Sequence, residues 1–311
     1  MMRIVRSSGT LMIVASAAGF GAMAVFGKLA YDEGVTVGTL LSARFVIAAA
    51  LFWLIVVASG TATRDLRALT PRVLGVALAL GAAGYAIQAG AYFAALERID
   101  ASLLTLVLYT FPAMVAIAAV ALGRERLDGR RVAALALAAG GLALVVATAG
   151  TGALEPLGVG LALAAAVTYS TYILVSDAIV GELPPALLSA LVATGAALTV
   201  VPATALLGDL HPGAVTAAGW GWLACLALIS TVAAVMLFFC GLRRVGPTTA
   251  SIVSTVEPVI TVALAVVIFG EALGPWQAAG GALVLSAVFV LHLPQRALAP
   301  LRARRAAEAQ A

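Results

Sequence analysis

Residues 92–127 read YFAALERIDASLLTLVLYTFPAMVAIAAVALGRERL, and residues 238–273 read FFCGLRRVGPTTASIVSTVEPVITVALAVVIFGEAL. Set on one another at a constant shift of 146 without gaps, they share nine identities in 36 positions. These are Phe93/Phe239, Leu96/Leu242, Arg98/Arg244, Val107/Val253, Pro112/Pro258, Ala119/Ala265, Val120/Val266, Glu125/Glu271 and Leu127/Leu273. Helices rich in alanine and valine match by chance at some of these positions. A proline followed thirteen residues later by a glutamate, in both copies, is a more demanding coincidence. Internal repetition of this length says that the chain is built from two related halves.

The surroundings of the two copies say what those halves are made of. Of 311 residues, 63% are hydrophobic and 10% charged, against about 25% charged in an ordinary soluble domain. A hydrocarbon layer about 30 Å thick needs about 20 apolar residues in a helix. Runs of that kind lie near 9–30, 36–58, 73–95, 101–122, 132–149, 157–176, 185–207, 217–242, 248–269 and 276–293. The fold class expected is therefore an all-α membrane protein with ten transmembrane helices. The start, with Arg3 and Arg6 before an apolar run, has the look of a signal peptide. The run continues past Phe26, longer than a secretory core, and reads as a retained first helix.

Lys and Arg orient the helices. With the N-terminus in the cytoplasm, Arg3, Arg6, Arg64, Arg67, Arg72, Arg124, Arg126, Arg130, Arg131, Arg243, Arg244, Arg296, Arg302, Arg304 and Arg305 fall inside. Only Lys28 and Arg98 fall outside, and Arg44 lies within a span. This is a strong positive-inside bias, and it places both termini in the cytoplasm of a cell (plasma or inner) membrane. It also accounts for the net charge of +4 without a nucleic-acid partner. The shift of 146 crosses five spans, an odd number, so the two halves insert in opposite directions. The expected units are 1–150, a first five-helix repeat; 151–295, a second, inverted one; and 296–311, a basic tail. Inverted repeats around a central cavity are the architecture of secondary transporters.

Several polar residues interrupt the apolar spans. Ser102, Thr105, Tyr109 and Pro112 recur in steps of three and four, and Thr248, Ser251, Thr255 and Pro258 repeat the spacing. Such steps place each set on one helix face, and a polar stripe in a membrane faces the bundle or a cavity. The alternative is that the hydroxyls bond their own helix carbonyls or join neighbouring helices. Ser254 is a further cavity candidate. Pro112 and Pro258 free the carbonyls four residues back and are candidate hinges or tolerated kinks.

Glu257 is the acid clearly inside a span, about 18 Å from the outer end of the ninth helix, and Arg44 lies about 12 Å in from the outer end of the second. Glu257 is expected to contact a cationic solute group, to titrate during transport, which opens the option of proton coupling, or to pair with Arg44, where a static ion pair is the competing reading. Lys28 reads as an interfacial snorkelling lysine before a solute anchor. Tyr85, Gln88 and Tyr92 share one face of the third helix and Tyr169 and Tyr172 one of the sixth, which suits an amphipathic organic solute. Trp220, Trp222 and Trp276 read as interfacial belt.

Tyr109-Thr110-Phe111-Pro112 … Gly123-Arg124-Glu125, its counterpart Val256-Glu257-Pro258-Val259 … Gly270-Glu271-Ala272-Leu273, and Arg44-Phe45 resemble the EamA-type family of the drug/metabolite transporters. The resemblance covers the whole chain. It implies ten helices in two halves around a central cavity, with export or exchange of small organic solutes such as amino acids by alternating access.

Other classes find no support. Cys225 and Cys240 share one apolar segment, His211 and His292 have no ligand-like companions, and neither a zinc motif nor a Walker A sequence occurs. No metal, cofactor or enzymatic activity is expected. A lipid- or isoprenoid-modifying membrane enzyme lacks its paired acidic clusters here, and a channel lacks a filter segment.

Overall fold

The computed structural model describes residues 2–60, 62–67, 69–122, 129–148, 155–176, 182–245, 253–254 and 256–292. Among them every regular element is helical. In order they are α1 (Met2–Gly21), α2 (Met23–Asp32), α3 (Val37–Ala58), α4 (Ala62–Arg67), α5 (Pro71–Ala79), α6 (Ala86–Leu96), α7 (Ala101–Leu108), α8 (Phe111–Ala121), α9 (Gly129–Thr148), α10 (Pro156–Ser176), α11 (Pro185–Leu206), α12 (Ala217–Ala227), α13 (Ala234–Val245), α14 (Glu257–Phe269) and α15 (Pro275–His292).

Among the described residues, six helical stretches are long and apolar enough to cross a membrane: Ser8–Asp32, Val37–Ala58, Pro71–Leu96, Pro156–Ser176, Pro185–Leu206 and Ala217–Phe238. Their side chains face outward as well as inward. Leu11 is 69% exposed and Leu198 67%, as expected where lipid, not water, covers the surface. The expected fourth span is broken at Tyr109–Thr110 into α7 and α8. The fifth and tenth correspond to α9 and α15, and the ninth is described as α14 with a short stretch before it.

Local chemistry sets the ends. The Thr36, Thr70 and Thr216 hydroxyls accept from the backbone N–H three residues on and so cap α3, α5 and α12. Gly270 ends α14 with φ +66°, a left-handed turn that glycine enters without a Cβ penalty.

Two helices carry a π turn in mid-course: Leu80–Tyr85 between α5 and α6, and Leu228–Ala233 between α12 and α13. Each widens one turn and redirects the side chains on it. In the second, the Thr231 hydroxyl donates to the Leu226 carbonyl (3.1 Å).

Helices meet through small residues, as they must where lipid removes the hydrophobic drive between them. Gly81, in the first π turn, lies against the Val192 carbonyl of α11, and Gly195 of α11 lies against the Leu78 carbonyl. The two backbones approach reciprocally with no room for a side chain. α3 packs along α11, where Trp53 Nε1 donates to Thr194 (3.0 Å) and Ser42 bonds Thr204 (2.9 Å). α9 packs along α15, α1 along α13, and α6 along α10. α10 also touches α7 and α8, and α1 also touches α14.

Candidate solute site

Arg44 sits in the middle of α3 and is 1% exposed. Its Nε donates to Thr231 Oγ1 (3.0 Å) and its Nη2 to Tyr85 Oη (2.7 Å). Tyr85 closes the first π turn and Thr231 lies within the second, so one guanidinium pins both turns. The faces of Phe45, Tyr85 and Phe93 lie 5.5, 5.4 and 5.5 Å from it. Burying an unpaired cation costs several kcal/mol. Here aromatic quadrupoles and hydroxyl dipoles offset that cost, and among the described residues no carboxylate lies within ion-pair distance.

From this pin a row of rings runs through the bundle. Phe45 meets Tyr85 (centroids 5.1 Å), Tyr85 meets Tyr172 (5.9 Å), Tyr172 meets Tyr169 (6.4 Å), Tyr169 meets Phe111 (4.7 Å) and Phe111 meets Tyr109 (5.7 Å). The Tyr109 hydroxyl is within hydrogen-bonding reach of the Glu257 carboxyl. Glu257 is the first residue of α14 and Phe111 the first of α8, both where the helix restarts after a break. Tyr85, Phe111, Tyr169, Tyr172 and Glu257 are half-buried and keep accessible surface, although helices surround them.

A second cluster lies at the end of α2. Lys28 Nζ is 2.8 Å from Glu271 Oε1 and 3.6 Å from Asp100 Oδ1, over the face of Phe269 at 5.4 Å. Glu271 also accepts from the N–H of Ala101 (3.0 Å), the N–H of Ser102 (3.0 Å) and the Ser102 hydroxyl (2.7 Å). A carboxylate placed by the Gly270 turn thus caps the N-terminus of α7, where the helix dipole favours negative charge. It ties α2, α7 and the end of α14 together.

Burial of Glu271 pushes its carboxyl up. The hydrogen bonds from Lys28 and Ser102 outweigh this and hold it below the usual glutamate range. A lowered folded value means that the latch contributes stability above the unfolded range (about pH 4.3). That contribution is lost as pH falls through the lower folded value. Thermal unfolding in detergent across pH is expected to show this acid-side loss, and Glu271→Gln to remove it and to lower stability at neutral pH by about 1–3 kcal/mol.

The structure corrects several expectations. Arg44 and Glu257 form no ion pair, and Arg44 does not line an open surface: the partners it needs are hydroxyls and rings already in contact. Lys28 is not free at the interface: Glu271 and Asp100 hold it. The buried Thr105 hydroxyl donates to its own Ala101 carbonyl (2.8 Å), the helix-internal alternative. Tyr92 is buried against Phe93 (5.1 Å) rather than open. Trp222 stacks on Phe26 (6.2 Å, 20°), whereas Trp220 and Trp276 are exposed.

Gln88 is half-buried one turn from Tyr85, and Ser254 is half-buried before the α14 break. Pro112 and Pro258 each fall in the first turn of the restarting helix, which is where proline is tolerated. Ser251 and Thr255 lie outside the described residues. Phe93, Thr231 and Glu271 are partners the sequence does not mark as such, although Phe93 and Glu271 are twins in the repeat.

The EamA-like transporter family model matches residues 7–147 and 156–293. The chain belongs to the EamA-like transporter family. It is a multi-pass membrane protein. The uncharacterized transporter YwfM of Bacillus subtilis is 32% identical over 164 residues, 52% of this chain and 54% of YwfM, so the chain spans about half the length of that curated relative. A crystal structure at 22% identity aligns with a TM-score of 0.66 over 94% of this chain and 99% of its own, a likeness of fold.

Proposed function

We propose that the chain is a secondary transporter that exports or exchanges small organic metabolites, such as amino acids, by alternating access. Ten membrane helices form two inverted five-helix halves around a central cavity, with both ends in the cytoplasm of the cell membrane. The observation that carries this reading is how the helices pair. Exchange of the halves turns the contact of α1 with α13 into that of α10 with α6, and the contact of α1 with α14 into that of α10 with α7 and α8. It maps α3 against α11 and α9 against α15 onto themselves. The π turns and the breaks before Phe111 and Glu257 also recur, near the shift of 146. Two halves related in this way can rock about their shared contacts and expose a central site to either side.

Counterflow in proteoliposomes tests the proposal. A carrier is expected to take up labelled solute faster when unlabelled solute is loaded inside. Solute-selective flux with no trans-stimulation would make the protein a channel instead. A pH gradient that drives uptake by the wild type but not by Glu257→Gln would add proton coupling to the cycle.

A further inference from the structure

We propose that the carboxylate of Glu257 and the rings of Tyr109, Phe111 and Tyr169 form a box for the ammonium group of a cationic organic solute. The inference rests on the transporter reading above and names its substrate class: primary or quaternary amines with an apolar or aromatic body.

Three observations carry it. Phe111 lies 4.7 Å from Tyr169 and 5.7 Å from Tyr109, both at steep angles (59° and 64°), so the rings form walls and not a flat stack. The hydroxyl of Tyr109 is within hydrogen-bonding reach of the Glu257 carboxyl, and Tyr92 and Tyr169 also lie within its electrostatic reach. Aromatic faces attract cations, most strongly where water is scarce, and a carboxylate deep among helices is costly unless a cation or water meets it.

The third observation is the asymmetry of charge. Arg44, at the other end of the aromatic row, is 1% exposed with two donors spent on Tyr85 and Thr231. Lys28 is held by Glu271 and Asp100. Among the described residues the ionisable group left accessible along the row is therefore an acid. The carboxylate of a free amino acid would find no open cation there, so an amine is preferred over the matching zwitterion, and the zwitterion over the matching acid.

The extension of the row beyond the box supplies the rest of the specificity. Tyr172 lies 6.4 Å from Tyr169 at only 20°, and Tyr85 follows at 5.9 Å. A planar or alkyl body attached to the ammonium group would lie along these half-buried faces, with their surface removed from water as it docks.

Four probes that share one ring test the proposal on the full chain in detergent by calorimetry: phenethylamine, phenylalanine, phenylpropionate and phenethyl alcohol, with tetramethylammonium and choline alongside. The amines are expected to bind about tenfold or more tightly than the alcohol, the loss of one such contact being worth about that factor, and phenylpropionate weakest. Glu257→Gln is expected to erase the preference for amines and Glu257→Asp to keep part of it. Tyr169→Leu, which leaves the acid in place, should weaken the amines selectively. Equal or tighter binding of phenylpropionate or phenylalanine, amines no better than the alcohol, or an amine preference that persists in Glu257→Gln would each overturn the proposal. Amine binding that needs Glu257 but gives no counterflow would instead overturn the transporter reading and leave the box standing. Counterflow of other solutes with no amine preference would do the reverse.

Discussion

Arg44→Leu is expected to reduce reconstituted transport by tenfold or more and to lower thermal stability in detergent by about 1–3 kcal/mol. Two charge-assisted hydrogen bonds disappear, each worth about 1.5–3 kcal/mol, along with contacts to three aromatic faces. The loss is smaller than their sum because removing the guanidinium also removes the cost of burying it. What leucine cannot replace is the link between the π turns at Tyr85 and Thr231, and it leaves the Tyr85 hydroxyl without its donor. Arg44→Lys separates charge from bridging. A lysine keeps the cation but is a point charge without the planar fork, so transport should stay low while stability recovers in part. Wild-type transport by Arg44→Lys would show that the charge, not the bridge between the turns, is what matters.

Gly81→Val is expected to be more damaging still, with a stability loss above about 3 kcal/mol and no monodisperse peak on size-exclusion chromatography. Overpacking in a core usually costs about 1–3 kcal/mol because side chains can turn aside. A Cβ on Gly81 meets the carbonyl of Val192, and main chain cannot turn aside. α11 would have to retreat, which would also part Gly195 from Leu78 and disturb the contacts of Trp53 and Ser42 with α11. Gly90→Ala is the control. Nothing lies within 4 Å of a Cβ there, and alanine in a helix should stabilise by about 0.5–1 kcal/mol. A Gly81→Val protein as stable as the Gly90→Ala control would remove the close approach from the account of the fold.

Much of the architecture was legible in the residues because it is periodic. The apolar runs are local patterns, and the six longest spans stand where those patterns put them. The aromatic residues of the row were legible for the same reason: Tyr85, Tyr169, Tyr172 and Tyr109 interrupt apolar helices on definite faces. Their order along the row was not, because it depends on which helices cross.

The role of Arg44 was hidden for a further reason. Its partners lie 41 and 187 residues away, on π turns that have no reliable sequence signal, so similar depth left a pair with Glu257 open as one of three readings. Lys28 illustrates the same limit from the other side. Its partner Glu271 is 243 residues distant, and nothing near Lys28 in sequence distinguishes a latch from a snorkelling side chain. Thr105 shows that steps of three and four place a hydroxyl on a face without saying what it bonds.

Side-resolved cysteine labelling tests the inverted arrangement most directly. Arg98 and Arg244 are twins at the sequence shift of 146, and both are exposed. With Cys225 and Cys240 replaced, each is changed to cysteine in turn and intact cells are treated with a membrane-impermeant maleimide. The account predicts labelling of Arg98→Cys from outside and of Arg244→Cys only after the cells are opened. Labelling of both from the same side would contradict two oppositely inserted halves, and with them the alternating-access cycle built on that symmetry.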